Sequence, residues 1–252
     1  MEKRGERMKN YRLTLSYDGS RYKGWQRQGN TGNTLQEKLE TALGRILEQN
    51  IEIAGSGRTD AGAHARRQEV SFRAETAMSC AAILAALRQY LPEDIGAIAL
   101  KEAGPRFHAR LSCVGKTYVY RIWNSDTPCV FERKYVHTVP EKLDVKAMET
   151  AAALLCGKHD YASFCTGKKG SKSTVRTVES IRFESVGEEL RLYFTGDGFL
   201  YNMVRILTGT LIEVGRGERK AEEMPAILAA MDRSRAGFTA PAKGLCLWEV
   251  RY

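Results

Sequence analysis

In Tyr11-Arg-Leu-Thr-Leu-Ser-Tyr17, apolar and polar side chains alternate, as they do in a strand with one face against a core. Asp18-Gly19-Ser20 supplies the turn residues that end it. Downstream, Leu35, Leu39, Leu43, Ile46 and Leu47 recur at helical spacing, and Thr34 with Glu37 forms a capping box in front of them. Residues 51–54 and 68–72 read as strands on either side of a glycine-rich turn. A helix is predicted over 81–90, stopping at Pro92, followed by a strand over 95–100. The resulting order, β-α-β-β-α-β, is the split unit of ferredoxin-like folds.

The same order recurs further along. Residues 117–123 are strand-like, 145–156 helical, 175–185 and 190–195 strand-like, 199–214 helical and 245–252 strand-like. The expected division is a polar tail over 1–10, a first half over 11–105 and a second over 106–252, joined near 104–112, which matches ordinary domain sizes. No sequence repeat relates the halves; the parallel is one of pattern alone.

Composition bounds the partners. The 252 residues are 43% hydrophobic, enough for a substantial core, and 39 Lys and Arg against 30 Asp and Glu give a net charge of +9. That balance favours a polyanion, with nucleic acid the first candidate. No apolar run approaches the roughly 18 residues of a membrane span, and Met1–Asn10 lacks the apolar stretch of a secretory signal, so a soluble cytoplasmic protein is expected. The six cysteines are scattered, without C-x-x-C pairs or zinc-ligand spacing, and are expected as buried thiols.

The segment richest in chemistry is Gly55-Ser-Gly-Arg-Thr-Asp-Ala-Gly-Ala-His-Ala65, where small residues surround Arg58, Asp60 and His64. Small side chains permit close approach of a ligand to the backbone. A plain turn would use the same residue types, with Asp60 bonding its own backbone and Arg58 facing water. The densest basic stretch is Gly167-Lys-Lys-Gly-Ser-Lys-Ser-Thr-Val-Arg176, which makes Lys168, Lys169 and Lys172 candidates for phosphate contact, with Arg21, Lys23, Arg27 and Arg66-Arg67 extending the surface. The four histidines have no mutual spacing that suggests a metal site or triad, and His64 is expected to fix its loop.

Several segments together resemble one family. Tyr17-Asp-Gly-Ser-Arg-Tyr-Lys-Gly-Trp-Gln-Arg-Gln28, Gly57-Arg-Thr-Asp-Ala-Gly-Ala-His-Ala65, Phe107-His-Ala-Arg110, Lys116-Thr-Tyr-Val-Tyr120 and Gly198-Phe-Leu-Tyr-Asn-Met-Val-Arg205 occur in the order of the tRNA pseudouridine synthase A family. The resemblance runs from about Tyr11 to Tyr252. It implies an α+β fold of two ferredoxin-like halves sharing one extended, mostly antiparallel sheet, with helices on one side and a central cleft. It also implies a tRNA substrate, uridines on the 3′ side of the anticodon stem-loop, isomerised without metal or organic cofactor by a homodimer. Residue by residue, Asp60 matches the nucleophile, Tyr118 the aromatic that stacks on uracil, Arg205 the cation that pairs with the aspartate, and Arg58 a position that handles the flipped nucleotide.

The reaction breaks the C1′–N1 bond, rotates the detached uracil and forms a C1′–C5 bond. An ionised carboxylate suits the first step by attack at C1′, by removal of a 2′ proton or by attack at the ring, and the sequence leaves all three open. The Tyr118 hydroxyl could assist removal of the C5 proton, whereas Tyr120 reads as one aromatic of the strand. A non-catalytic RNA-binding module would not need Asp60, Tyr118 and Arg205 together. A metal-dependent Asp hydrolase would need further carboxylates that the Asp60 loop does not supply.

Overall fold

The computed structural model describes residues 8–167 and 173–252. The chain forms two compact units, one running to Val114 and including Leu247–Tyr252, the other Gly115–Cys246.

In the first unit, β1 (Lys9–Tyr17) is followed by α1 (Leu35–Leu47), β2 (Ile53–Gly55), β3 (His64–Ala74), α2 (Cys80–Tyr90) and β4 (Ile95–Ala103). β1 runs antiparallel to both β3 and β4, and β2 is antiparallel to β3, giving the order β4-β1-β3-β2. Along β1 the alternation holds: Tyr11, Leu13 and Leu15 are fully buried. The opposite face is polar yet also covered. There Glu69, 2% exposed, accepts from Arg12 Nε at 2.8 Å and from the Thr14 hydroxyl at 3.0 Å, so its buried charge is paired and hydrogen-bonded. Thr34 caps α1 by accepting the Glu37 amide, and fully buried Leu35, Leu39 and Leu43 each contribute about 1.5–3 kcal/mol of burial. Ser79 caps α2 in the same way.

β1 begins at Lys9, where the expected tail still ran to residue 10, and Lys9 Nζ meets Glu102 at 2.7 Å. The expected boundary at 105/106 also shifts: by packing, residues 106–114 and 247–252 belong with the first unit. The reason is a set of contacts clustered around Phe107. Its ring lies 5.0 Å from that of Tyr252, the Tyr252 hydroxyl donates to Ala109 O at 2.7 Å, and Asn10 Nδ2 donates to Gly104 O and Phe107 O.

In the second unit, β5 (Gly115–Trp123) and β6 (His137–Thr138) precede α3 (Val145–Leu154). β7 (Gly157–Asp160), β8 (Val175–Val186), β9 (Glu189–Gly196), α4 (Met203–Gly215) and α5 (Met224–Ala230) follow. β5 pairs antiparallel with β9, β9 with β8 and β8 with β7, while β6 adds a short parallel pairing to β5. Strand β10 (Leu245–Arg251) lies beside β3. The protein is therefore a mixed α+β protein with mostly antiparallel strands. β6, β7 and α5 go beyond the sequence reading, and α4 starts at Met203 where the pattern placed it at 199. The six cysteines are half-exposed thiols outside any disulfide, contrary to the expectation that they are buried. Cys80 opens a helix and Cys113 and Cys129 sit in loops, positions that a core does not cover. Among the described residues no helix is long and apolar enough to cross a membrane.

Candidate active site

Asp60 lies on the loop between β2 and β3, and the loop is fixed on both sides of it. On the N-terminal side, the Thr59 carbonyl accepts the Trp25 amide at 3.0 Å and the Thr59 hydroxyl is 2.8 Å from the Tyr17 hydroxyl. On the C-terminal side, the Ala63 amide donates to the Asp60 carbonyl at 3.1 Å, closing a four-residue turn. Gly62, the third residue of that turn, has φ of +81°, as a type II turn requires. The turn therefore closes through the backbone of Asp60. Asp60 is half-buried and Arg58 is exposed, while Ser56 and Thr59 are buried.

The support below the loop centres on Gln68, which is fully buried on β3. Its Oε1 accepts from the Ser56 hydroxyl at 2.6 Å, and its Nε2 donates to Gly57 O at 2.8 Å and to the Tyr17 hydroxyl at 3.4 Å. Tyr17, Thr59 and Gln68 thus form one buried polar network. His64 closes the far end: its Nδ1 accepts the Gly19 amide at 3.1 Å, so this nitrogen is occupied in holding the loop, as expected. Gly19 is a packing requirement here, because a Cβ at that position would lie 1.8 Å from the Ala63 carbonyl oxygen.

Tyr118 and Arg205 lie in the second unit. Tyr118 is on β5, opposite Phe194 of β9, and is 7% exposed; its ring meets Phe199 edge-on at 5.4 Å and 86°. Tyr120 is fully buried and donates to Pro241 O at 2.8 Å, and burial pushes its phenol well above the usual range, in line with its reading as a strand aromatic.

Arg205 is the third residue of α4. A cation in the first turn opposes the helix dipole at a cost of about 0.3–1 kcal/mol, so local helix energetics do not explain it. Its guanidinium is held in part by Nε, which donates to Ala240 O at 2.7 Å, and by Nη1, which donates to Asn202 Oδ1 at 2.8 Å. The Ala240 amide returns a bond to Arg205 O at 3.1 Å, tying segment 240 to the helix start.

Of the basic candidates, Arg27 pairs with Glu40 at 3.2 Å, Arg21 with Asp94 at 3.7 Å, and the Arg66 guanidinium lies 4.5 Å from the centre of the Trp248 ring. In both ion pairs the arginine is exposed while its acid partner is largely covered, so the cation still faces solvent from which a phosphate could approach. Lys168, Lys169 and Lys172 lie outside the described residues. Four further residues matter here: Phe199 and Asn202 lie inside the Gly198–Arg205 motif, whereas nothing in the sequence marks Gln68 or Thr166.

Comparison with known proteins agrees with these motifs. A family model described as tRNA pseudouridine synthase matches residues 14–111 and 151–252. Among similar proteins, tRNA pseudouridine synthase A 2 of Clostridium perfringens is 42% identical over 245 residues, covering 97% of this chain and 100% of that protein. tRNA pseudouridine synthase A of a Bacillus species is 45% identical over the same shares, and tRNA pseudouridine synthase A 2 of Bacillus anthracis is 43% identical, again over 97% of this chain and 100% of that protein. The chain belongs to the tRNA pseudouridine synthase family and is an isomerase that converts uridine to pseudouridine in tRNA.

Proposed function

We propose that this enzyme modifies uridines on the 3′ side of the anticodon stem-loop, with Asp60 as nucleophile acting on a base flipped out of the stem. The observation that carries the reading is the mounting of Asp60. Half-buried Asp60 sits between an anchored Thr59 and a closed turn, over a buried polar network, so the backbone that carries its carboxylate is set before substrate arrives. Such a group attacks C1′ or the ring, or takes the 2′ proton. In each route the glycosidic bond to N1 breaks, C1′–C5 forms, the C5 proton departs and N1 ends protonated, so uridine and product are isomers.

Arg205 is the cation that keeps the catalytic carboxylate charged against desolvation. Tyr118 holds the face of the detached uracil, and its hydroxyl assists departure of the C5 proton. Flipping the base costs a few kcal/mol of stacking, and exposed Arg58 takes the vacated place. The strand order β4-β1-β3-β2 of the first unit supports a ferredoxin-like reading of that half. We extend the same reading to the second half, and assign a cytoplasmic homodimer in which one subunit holds the anticodon arm while the partner grips the body of the tRNA. Catalysis needs no metal or organic cofactor.

The decisive experiment is tritium release from tRNA labelled at uridine C5. Asp60→Asn keeps size and hydrogen bonding but removes the charge, so release should drop at least a thousandfold, about 4 kcal/mol, while tRNA binding persists. Wild-type release by the variant would refute the assignment. Mapping pseudouridine in total RNA after deletion of the gene tests the substrate: the signal should vanish from the anticodon arm. Light scattering at assay concentration tests assembly, since a fully active species of monomer mass would exclude the dimer.

A further inference from the structure

The residue at the start of α4 does not do what a helix cap normally does. A capping Asn has extended backbone angles and its side-chain oxygen accepts an amide of the first turn. Asn202 instead has φ of +61° and ψ of 3°, in the left-handed region, and makes no side-chain cap bond. Its amide is used elsewhere. Oδ1 accepts from Arg205 Nη1 at 2.8 Å, and Nδ2 donates to the Thr166 hydroxyl at 2.7 Å. Thr166 is itself joined to the same turn, its amide reaching Tyr201 O at 3.4 Å.

We infer that Asn202, oriented by Thr166, is a positioning residue that fixes the guanidinium of Arg205 for the isomerisation. Arg205 Nε is held by Ala240 O at 2.7 Å, and a bond of that kind by itself lets the fork swing about the contact. An acceptor on Nη1 as well fixes the plane. An amide side chain suits this role because its oxygen meets the arginine while its nitrogen has a donor left for a second anchor, so the oxygen cannot rotate away without losing the Thr166 bond. The left-handed backbone turns the side chain towards Arg205. Among non-glycine residues Asn is one of the few that tolerate that conformation.

The inference rests on the proposal that Arg205 serves the catalytic carboxylate, and its test separates the two. Asn202→Gly is the first variant, because glycine accepts the left-handed angles at least as well and removes only the side chain. The fold should survive, KM for tRNA should stay within about twofold, and kcat should fall about 10- to 100-fold, the split expected when an interaction that matters only in the transition state is lost. Thr166→Val, which removes the outer anchor alone, should lower kcat about 3- to 10-fold, with Thr166→Ser restoring it. If Asn202→Gly does not fold, the Thr166 pair carries the test. A kcat within twofold of wild type in folded Asn202→Gly reduces Asn202 to a turn residue and overturns the inference. So does a rise in KM at unchanged kcat, which would move Asn202 to RNA binding, or a Thr166→Val enzyme equal to wild type. Arg205→Ala, made in a chain that keeps Asn202 and Thr166, reports separately: if it turns over normally, the role of Arg205 itself fails.

Discussion

Replacing Gln68 with Met keeps the volume of a fully buried side chain and removes every polar contact it makes beneath the Asp60 loop. Two of those contacts are short, Ser56 Oγ to Oε1 at 2.6 Å and Nε2 to Gly57 O at 2.8 Å; the contacts with the Gly57 amide and the Tyr17 hydroxyl, both at 3.4 Å, count for less. The fully buried Ser56 hydroxyl and the part-buried Gly57 carbonyl would then lose these partners. At about 1–3 kcal/mol for the stranded Ser56 hydroxyl and about 1 kcal/mol for the Gly57 carbonyl, which water partly reaches, the expected destabilisation is about 2–4 kcal/mol, a large share of a typical 5–15 kcal/mol. Urea unfolding at neutral pH measures it. Function should suffer beyond this loss, because Gly57 is three residues from Asp60 and its carbonyl is where Gln68 holds the loop. Single-turnover rates on saturating tRNA, taken well below the melting temperature, should fall by at least tenfold while tRNA affinity is retained. A Gln68→Met enzyme destabilised by less than about 1 kcal/mol and turning over normally would show that the network neither holds the loop nor places the carboxylate.

Tyr118→Phe retains the ring packed against Phe199 and loses only the hydroxyl, so glycosidic cleavage should persist in part while C5 tritium release slows; equal rates at every step would leave Tyr118 a stacking role alone. Burial, with the nearby charges of Lys243 and Arg216, pushes His137 down to about 4 from its usual 6.5. Between those values the unfolded chain carries a proton that the folded chain refuses, so stability should fall as pH drops from about 6.5 towards 4, by up to about 2 kcal/mol once partial exposure is allowed for. His137→Gln should flatten that slope in denaturation series, and a slope unchanged in the variant would exclude His137 as its source. Neutralising Lys168, Lys169 and Lys172 together should reduce the slope of log affinity against log salt by about 0.7–0.9 per lost phosphate contact, and an unchanged slope would return these lysines to the solvated surface.

The elements that the sequence announced are those with a long period and a cap. β1 and α1 carry Tyr11, Leu13, Leu15 and Leu35, Leu39, Leu43 at strand and helix spacing, and the core uses all six. β7 was not legible because Gly157-Lys-His-Asp160 has no apolar alternation; it is recruited by pairing with β8. α5 is a single short helix with Pro near its start, below the length at which periodicity is visible. The start of α4 was misplaced because Phe199, Leu200 and Met203 continue the apolar pattern backwards, while the left-handed turn at Asn202, which the pattern cannot express, begins the helix afresh. At the site, Asp60 and Arg205 stood out by residue type within small or apolar surroundings. Their supports did not, because a buried Gln on a strand or a Thr in a loop acquires its role only from what the fold brings beside it.

Those supports bear on what the chemistry demands. Pseudouridine formation leaves the uracil unattached partway through, so the groups on either side of the break cannot rely on the substrate to hold them in place. For the two residues proposed to act together, Asp60 and Arg205, the structure supplies local order, at the backbone for the first and at the guanidinium for the second. Asp60 is steadied by backbone bonds at Thr59 and Ala63 and by buried Gln68; Arg205 is steadied by Ala240 O and by Asn202, itself tied to Thr166. Neither arrangement needs bound RNA to form, which places the ordering cost in folding and leaves less of it in each turnover. It follows that substitutions at Gln68 or Asn202 should act on kcat with little change in tRNA affinity, whereas loss of exposed cations such as Arg66 or Arg67 should do the reverse. A chain in which both classes of variant changed affinity and turnover in equal proportion would contradict this division between holding the RNA and holding the reacting groups.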